Sequence, residues 1–382
     1  MGQTAELTIE RSALAPRGSG RLPAKLLPDA LRYAGPMTAP LTVHVGHANP
    51  TGDILVFAMD PQTAALTPVQ ALSSGSSSSF LALDPTRRFL YATHNRSEAV
   101  AAFSRDPESG RLQPLGTIPV PPGPDATEVG PSYLRVDATA RFVLCASYRG
   151  HNVVVFPREG NGRLGPPVQN VSAGKHAHAV VLSEDNRFAF VPYLGSDLVA
   201  QYRFDDRRGQ LTPGDPPSVA TPPGSGPRHL AFHPQGMRAY LVCELDASVI
   251  AFDLHPRQGT LLETQRIDSL PAGYQGRRWA ADIHVHPNGR FLYVSNRAHD
   301  SLAIFAIDPV TGRLSLLGHQ PSQGRTPRNF CIDPTGRFLM VAHQDSANLV
   351  IFAVDPASGS LQPVAEQAVA PSPTFVDIVP PL

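Results

Sequence analysis

The octapeptide HPNGRFLY at residues 286–293 indicates a repeat fold, because variants of it recur along the chain. The other copies are DPTRRFLY (84–91), DATARFVL (137–144), SEDNRFAF (183–190), HPQGMRAY (233–240) and DPTGRFLM (333–340). Successive copies start 46 to 53 residues apart. Repeats of this length that consist of short strands are typical of β-propeller blades.

Each copy contains the parts of a four-stranded antiparallel sheet. A strand A such as YLRV (133–136) enters a turn whose Asp and Pro favour the first positions of a type I turn. Strand B (FLYVSN, 291–296) and strand C (SLAIFAID, 301–308) follow, and a second turn such as DPVTGRL leads to a short strand D. Helical periodicity of useful length is absent from the sequence.

The two ends of the repeat array complement each other. Residues 41–70 form a seventh copy that begins at strand B and lacks strand A, whereas SPTFVDIVP (372–380) aligns with the strand A of TPRNFCIDP (326–334) and then stops. We therefore expect an all-β, seven-bladed propeller over residues 37–382, in which the C-terminal strand completes the first blade. Such closure protects the sheet edges that an open array would expose.

Residues 1–36 differ from the repeats, since they are rich in Pro, Gly, Arg and Ala and join no blade. We interpret them as a flexible extension, with Met37 as an alternative start of the protein. Glu6, Glu10 and Asp29 disfavour a transit peptide.

Composition narrows the class of function. The 382 residues carry 32 basic and 32 acidic side chains, so no net field attracts nucleic acid or an acidic membrane. No apolar run is long enough to span a bilayer, and the first residues lack the apolar region of a signal peptide. The three cysteines (Cys145, Cys243 and Cys331) lie far apart in apolar runs, as buried thiols of a reducing compartment do. We predict a cytoplasmic protein, either a monomer or a weak homodimer.

The repeat also predicts which residues meet in space. In a propeller, the start of strand A and the end of strand B lie together near the central channel, so equivalent positions of all blades form a ring. Five residues before each A–B turn, the chain has Ser79, Ser132, His178, Arg228, Ala281, Arg328 and Thr374. Four residues after the Tyr-like position of strand B, it has Asn95, Tyr148, Leu194, Glu244, Arg297 and Gln344.

Five ionisable residues of this ring form a candidate site: His178, Arg228, Glu244, Arg297 and Arg328. Guanidinium groups bind phosphate or carboxylate through paired hydrogen bonds. A glutamate beside arginines stays ionised and could orient or deprotonate water, and a histidine can exchange protons near neutral pH. Each residue alone could instead belong to an ion pair that ties blades together. Five of them on one ring favour a functional site.

Other motifs give weaker signals. His176 and His178 would lie on one face of a strand, as in a metal site, but no carboxylate or cysteine recurs beside them, so we expect no metal and no cofactor. The GxGxxG at 160–165 aligns with C–D turns and predicts a hairpin, not a dinucleotide site. Ser76–Ser79 lacks the G-x-S-x-G elbow of serine hydrolases. Trp279 belongs either to a loop over the mouth or to an inter-blade connection.

Several motifs resemble those of the seven-bladed propeller lactonases, a family that includes bacterial 6-phosphogluconolactonases and the fungal carboxy-cis,cis-muconate lactonizing enzyme. They are GSGPRHLAFHP (224–234), CEL (243–245), RWAADIHVHPNGRFLYVSNRAHDS (278–301) and TPRNFCIDPTGRFL (326–339). The resemblance covers residues 40–382 and is weaker in the first two blades. It implies catalytic roles for four residues: His178, Arg228, Glu244 and Arg297.

The resemblance implies hydrolysis of 6-phospho-D-glucono-1,5-lactone. Glu244 or His178 would activate water, and Arg228 or Arg297 would stabilise the oxyanion. The expected substrate-binding residues are Arg328, His176, His229 and Asn296. Alternatives are a reversible reaction on a muconate-type diacid, hydrolysis of another sugar lactone, or a non-catalytic binding propeller.

Overall fold

The computed structural model describes residues 39–381, in which seven four-stranded antiparallel sheets surround a central channel. The predicted extension (1–36) and the alternative start at Met37 lie outside the described residues. Blade 1 contains β1 (Leu41–His47), β2 (Asp53–Met59), β3 (Leu66–Ser73) and β28 (Pro373–Val379). Blade 2 contains β4 (Ser78–Leu83), β5 (Phe89–His94), β6 (Ala99–Arg105) and β7 (Leu112–Pro119).

The other blades follow in chain order. Blade 3 contains β8 (Pro131–Val136), β9 (Phe142–Ser147), β10 (Asn152–Pro157) and β11 (Gln169–Val171). Blade 4 contains β12 (Val181–Leu182), β13 (Phe188–Tyr193), β14 (Leu198–Asp205) and β15 (Gln210–Ala220), with a 3-10 helix at Leu194–Ser196. Blade 5 contains β16 (Pro227–Phe232), β17 (Arg238–Cys243), β18 (Ser248–Leu254) and β19 (Leu261–Asp268).

Blade 6 contains β20 (Ala280–Val285), β21 (Phe291–Asn296), β22 (Ser301–Ile307) and β23 (Leu314–Pro321). Blade 7 contains β24 (Pro327–Ile332), β25 (Phe338–His343), β26 (Asn348–Val354) and β27 (Leu361–Ala368). The inner strand is β28 in blade 1 and the first strand of the sheet in each other blade, and neighbouring inner strands such as β16 and β20 contact each other around the channel. Within residues 39–381, no helix has the length and apolar character needed to cross a bilayer.

The ring closes as the repeat predicts. Strand β28 pairs antiparallel with β1, with Thr42 opposite Val379 and Gly46 opposite Phe375, so blade 1 combines both ends of the repeat array. The fold prediction is therefore confirmed. The pairing gives the inner edge of β1 a partner for its backbone groups, which would otherwise be exposed.

The recurring A–B turn is held by its first side chain. In blade 2, Asp84 Oδ1 accepts hydrogen bonds from the backbone N–H groups of Arg88 (2.9 Å) and Phe89 (2.8 Å). The fourth turn residue has a positive φ in every copy, for example 58° at Arg87 and 72° at Gly289. This left-handed conformation explains why glycine occupies the position in several copies.

Neighbouring blades are joined through the C–D turns. Tyr91 of β5 donates its hydroxyl to the carbonyl of Gly162 in blade 3 (2.9 Å), and Tyr240 and Tyr293 make equivalent bonds to the next blades. A Cβ at Gly162 would lie only 2.1 Å from the Phe89 ring. Gly162 lies in the connection between β10 and β11, where an Arg158–Leu164 bridge closes the hairpin that the sequence predicts for residues 160–165.

Blade 4 departs from the expected regularity. We expected His176 and His178 on one face of a strand, but β12 comprises only Val181–Leu182, and His176 has a φ of 61°. The physical reason lies in β13, where Pro192 has no N–H to donate to the inner strand. His178 N–H still donates to the Pro192 carbonyl (3.0 Å), which keeps the histidine beside the channel.

Candidate active site

The channel mouth contains a cavity of about 320 Å³ that continues into a smaller chamber of about 60 Å³. Asn95, Ser132, His178 and Arg328 line both spaces. The upper cavity is also lined by Gly130, Tyr148, Arg149, Glu244, Trp279 and Arg297. The lower chamber is also lined by Ser79, Phe80, Arg228, His229, Asn329 and Thr374. The ring positions predicted from the repeat thus line at least one of the two cavities, except Leu194, Ala281 and Gln344. The volume and polar lining of the upper cavity suit a small polar ligand.

Glu244 is the electrostatic centre of the mouth. It follows β17 directly. Its Oε2 accepts a hydrogen bond from Arg228 Nε (2.9 Å) and forms an ion pair with Arg297 Nη2 (3.1 Å). Its Oε1 accepts a hydrogen bond from Trp279 Nε1 (3.1 Å). Burial alone would raise the pKa of Glu244, but Arg228 and Arg297 outweigh it and hold the pKa below its ordinary value. The carboxylate is therefore ionised and a weak base.

Arg228 and Arg297 are also anchored to the backbone of blade 6. Arg228 Nη1 donates to the Ala281 carbonyl, and Arg297 Nη2 donates to the Ala280 carbonyl (2.6 Å). Both side chains are almost completely buried. These bonds fix the two guanidinium groups before any ligand binds, and such preorganised positive charge is the arrangement that stabilises developing negative charge.

Arg328 differs from these two arginines. Among the described residues, its guanidinium has no hydrogen-bond partner and no carboxylate within 4 Å, although it lines both cavities. Burial and the nearby charge of Arg228 lower the pKa of Arg328 to about 10, so the group remains cationic at neutral pH. A half-buried cation without a partner is costly, and an anionic ligand would compensate it.

His178 lies between these charges. Its Nε2 is 3.9 Å from Glu244 Oε2, and its buried Nδ1 has no hydrogen-bond partner in the described part of the chain. Burial, reinforced by Arg228, lowers the pKa of His178 well below its ordinary value. The imidazole is therefore neutral at physiological pH.

Trp279 belongs to the mouth, which decides between the two alternatives left open by the sequence. Its indole lies between two guanidinium groups, with Arg297 Cζ 3.8 Å and Arg277 Cζ 4.0 Å from the ring centroid. Contacts of this kind are attractive because the ring face carries partial negative charge. The indole thus contacts Arg297 through its ring face and Glu244 through its N–H.

A β-bulge adds residues that the repeat did not predict. In β16 the register shifts between Pro227 and His229, so Arg228 and His229 both line the lower chamber. In a regular strand, consecutive side chains point to opposite faces, whereas a bulge redirects one of them. Equivalent shifts bring Phe80 and Asn329 into the chamber. The sequence contained a sign of these residues, because each of them directly follows a predicted ring position of its own blade.

Two predicted substrate contacts are not brought to either cavity. His176 stacks on Tyr148 with ring centroids 4.4 Å apart and lines neither cavity. Asn296 is buried and bonds Ser269 with both amide atoms (2.8 Å each). His176 is turned away because its backbone is left-handed. The Asn296 amide does not reach a cavity because both of its polar atoms bond Ser269.

Across residues 39–381, no three His, Cys, Asp or Glu side chains are grouped so that they could hold a metal ion. The positive charge of the mouth comes instead from Arg228, Arg297 and Arg328, whose guanidinium groups donate hydrogen bonds and have no acceptor.

Comparison with known proteins places this geometry in a family. The lactonase, 7-bladed beta-propeller family matches residues 42–378. The chain belongs to this family. The 6-phosphogluconolactonase of Pectobacterium carotovorum is 36% identical over 299 residues, which cover 78% of this chain and 87% of the relative. The 6-phosphogluconolactonase of Erwinia tasmaniensis is 35% identical over 314 residues, covering 82% of this chain and 92% of the relative.

Comparison with a solved structure also supports this family. The periplasmic gluconolactonase of Pseudomonas aeruginosa superposes with a TM-score of 0.83 at 32% identity, covering 90% of this chain and all of the other. The predicted resemblance to the propeller lactonases is confirmed, and so is the prediction of a lactonase. For a propeller lactonase, the mouth offers fixed positive charge for an oxyanion and one free arginine for a second anionic group.

Proposed function

We propose that the protein hydrolyses 6-phospho-D-glucono-1,5-lactone to 6-phosphogluconate at the channel mouth. The observation that carries the proposal is the free guanidinium of Arg328 beside two arginines that are already engaged. Two preorganised cations, Arg228 and Arg297, stabilise the oxyanion that forms when water attacks the lactone carbonyl. Arg328 binds the phosphate of the substrate, and this contact is lost when the lactone is not phosphorylated. Relatives named 6-phosphogluconolactonase support this choice of substrate.

Glu244 has a supporting role in this scheme. Since its oxygens already accept hydrogen bonds from Arg228 and Trp279 and one also pairs with Arg297, it holds these groups in place. Its charge also offsets part of the mutual repulsion of the arginines, so that three cations can lie near one another before substrate binds.

The test is a comparison of two substrates on the purified protein, with spontaneous hydrolysis subtracted. Charge-assisted hydrogen bonds contribute about 1.5–3 kcal/mol each, so kcat/KM for the phosphorylated lactone should exceed that for D-glucono-1,5-lactone by about 10- to 150-fold. Equal or higher kcat/KM for the unphosphorylated lactone would contradict the proposal. That result would support the second candidate, a gluconolactonase, which the Pseudomonas structure favours.

We also propose that the reaction is independent of metal, because arginines supply the positive charge that a metal ion supplies in metallolactonases. Activity should survive dialysis against EDTA. Loss of activity on chelation, followed by recovery with a divalent ion, would contradict this proposal.

A cytoplasmic location and a monomer or weak homodimer complete the proposal. The free, buried state of Cys145, Cys243 and Cys331 supports a reducing compartment. Cell fractionation tests the location, and light scattering at several protein concentrations tests the oligomeric state. Recovery of the protein from the periplasm, or a stable tetramer, would contradict these two statements.

A further inference from the structure

Below the three arginines, a buried carboxylate lies at the centre of a hydrogen-bond network. Asp282 of β20 accepts from His229 Nδ1 (2.7 Å), from His284 Nε2 (3.1 Å) and from Asn329 Nδ2. The backbone N–H of Ile283 adds a further bond (3.0 Å). Asp282 is only 3% exposed, and these donors hold its pKa well below the ordinary value although burial alone would raise it. It is therefore an anion of fixed position.

His229 connects this carboxylate to the cavity. The bond to ionised Asp282 places the proton of the imidazole on Nδ1, which leaves Nε2 as the basic nitrogen. Arg228 Nη1 lies 3.2 Å from Nδ1 and 3.3 Å from Nε2. An atom at nearly equal distances from both nitrogens lies over the ring face, so the in-plane lone pair of Nε2 is not used by Arg228. His229 itself lines the lower chamber, below Arg328.

The two histidines of the site differ in what would happen on protonation. A proton on His178 would create a cation near Arg228, Arg297 and Arg328, with Glu244 3.9 Å away and already paired. A proton on His229 would also create a cation beside Arg228, but one that lies 2.7 Å from Asp282, whose ion-pair partners in the described residues are His229 and His284 rather than arginines. A nearby carboxylate stabilises an imidazolium, and this is the role of the carboxylate in histidine–carboxylate pairs of hydrolases.

We propose that His229 is the proton acceptor of the lactonase reaction and that Asp282 is the positioning residue that fixes its tautomer and stabilises its protonated form. The inference rests on the proposed function. The oxygen of water bonds to the lactone carbonyl carbon while its proton passes to His229 Nε2, and the carbonyl oxygen becomes an oxyanion facing the arginines. When the intermediate collapses, the bond between this carbon and the ring oxygen breaks. The ring oxygen takes the proton from Nε2, which gives the hydroxy acid and neutral His229.

Several groups face His229 and determine its protonation. They are Asp282, Arg228, His284, His178 and Tyr133. Burial, followed by the charge of Arg228, lowers the pKa of His229 to about 4, against the opposing effect of Asp282. His229 is thus neutral, and able to accept a proton, above about pH 4. The kcat of the wild-type chain should be level from pH 7 to 5 and fall as the pH drops through about 4.

The first test uses His229→Gln, which keeps a donor for Asp282 and removes the basic nitrogen. We expect kcat to fall by about 100- to 10,000-fold, the range that general base catalysis contributes, with KM and the binding of 6-phosphogluconate within about threefold of wild type. The matched control is His233→Gln, which removes a buried histidine of the same blade at the A–B turn, where its Nε2 contacts the Gly289 carbonyl. The control should keep its kcat.

The second test uses Asp282→Asn, whose amide can favour the opposite tautomer of His229. A loss of kcat of about 100-fold or more is expected, and adding the His229→Gln change should cost little further activity, because the two residues act as a unit. In His229→Gly, added imidazole should restore part of the lost kcat. A merely structural role would give neither result.

Three outcomes would overturn the assignment. The first is a His229→Gln chain that retains kcat within about threefold on a lactone that the wild type hydrolyses, which leaves the proposed function intact. The second is an Asp282→Asn chain that keeps kcat within about threefold of wild type on the same lactone. The third is a wild-type chain that hydrolyses neither lactone, which would remove the proposed function together with the proton acceptor.

Discussion

At one end of the inner strands, the A–B turns carry related residues and the same backbone conformation in each copy, whereas at the other end the equivalent positions differ from blade to blade. The first turn residue is Asp in Asp84, Asp137 and Asp333, and it is buried and bonded to backbone N–H groups. At the mouth, the same register gives serine in blade 2, histidine in blade 4 and arginine in blade 5. The repeated end maintains each blade, and the varied end forms one asymmetric site.

The mouth itself has two unlike sides. Blades 4 to 7 contribute most of the charged groups, whereas blades 1 to 3 contribute mainly neutral side chains, such as Thr374, Ser79, Ser132 and Asn95. The one arginine from blades 1 to 3 that lines a cavity, Arg149, is paired with Glu128 (3.4 Å). An anionic ligand is therefore bound mainly from the side of blades 4 to 7. Substitutions at the turns should change stability alone, and substitutions on the charged side of the mouth should change catalysis.

The largest effect is expected at Glu244. Glu244→Gln removes the charge that holds Arg228 and Arg297, so kcat/KM should fall by about 100-fold or more, and the loss of one partner of a buried pair should destabilise the protein by about 3–5 kcal/mol. Kinetics and urea unfolding on one preparation measure both. The control is Glu263→Gln, which removes a surface carboxylate paired with Arg266. Full activity of Glu244→Gln would refute the role of this carboxylate.

Arg328 should show a smaller effect that depends on the substrate. Arg328→Met keeps the length of the side chain and removes the free cation, so kcat/KM for the phosphorylated lactone should fall by about 10- to 150-fold. The penalty should shrink for the unphosphorylated lactone, and the melting temperature should not fall, since no internal bond is lost. Arg325→Met, which changes an exposed arginine in the loop just before β24, is the control. Equal penalties for both lactones would show that Arg328 does not bind the phosphate.

The turn end offers the opposite pattern. Asp137 is fully buried and accepts from the backbone of Arg141 (2.7 Å) and Phe142 (2.7 Å). Asp137→Ala should destabilise the protein by about 2–4 kcal/mol because buried N–H groups lose their acceptor. The kcat of the folded fraction should be unchanged. Asp106→Ala, which changes an exposed C–D turn, is the control for urea unfolding. A change in kcat without a change in stability would contradict the division between the two ends.

The smallest effect is expected on the neutral side of the mouth. Ser79 lines the lower chamber, but its hydroxyl pairs with Thr93 Oγ1 (3.1 Å) rather than with a charged group. Ser79→Ala should therefore change kcat/KM by less than about threefold, with Thr93→Ser as the control that keeps the pair. A loss comparable to that of Arg328→Met would show that the substrate is also bound from this side.

The repeat predicted the ring positions because equivalent residues of similar blades must occupy equivalent places around the axis. It did not predict the partner of His229, since period-2 alternation assigns the residue after a channel-facing position to the opposite face. The bulge in β16 breaks that alternation, and the shift in β20 accompanies the placement of Asp282 against His229. His176 and Asn296 were predicted as substrate contacts from their place beside the motifs, but local backbone geometry and a loop anchor place them elsewhere.

The repeat is sufficient to predict the seven blades, their closure by the C-terminal strand and the gathering of five ionisable residues at one mouth: His178, Arg228, Glu244, Arg297 and Arg328. These follow from periodicity, which any chain with the same repeat must satisfy. The repeat does not predict that Glu244 pairs with two of the arginines and leaves Arg328 free, or that Asp282 holds His229; these contacts are visible in the folded protein alone. Such choices depend on side-chain distances between blades, where a shift of one or two ångströms decides whether a hydrogen bond forms.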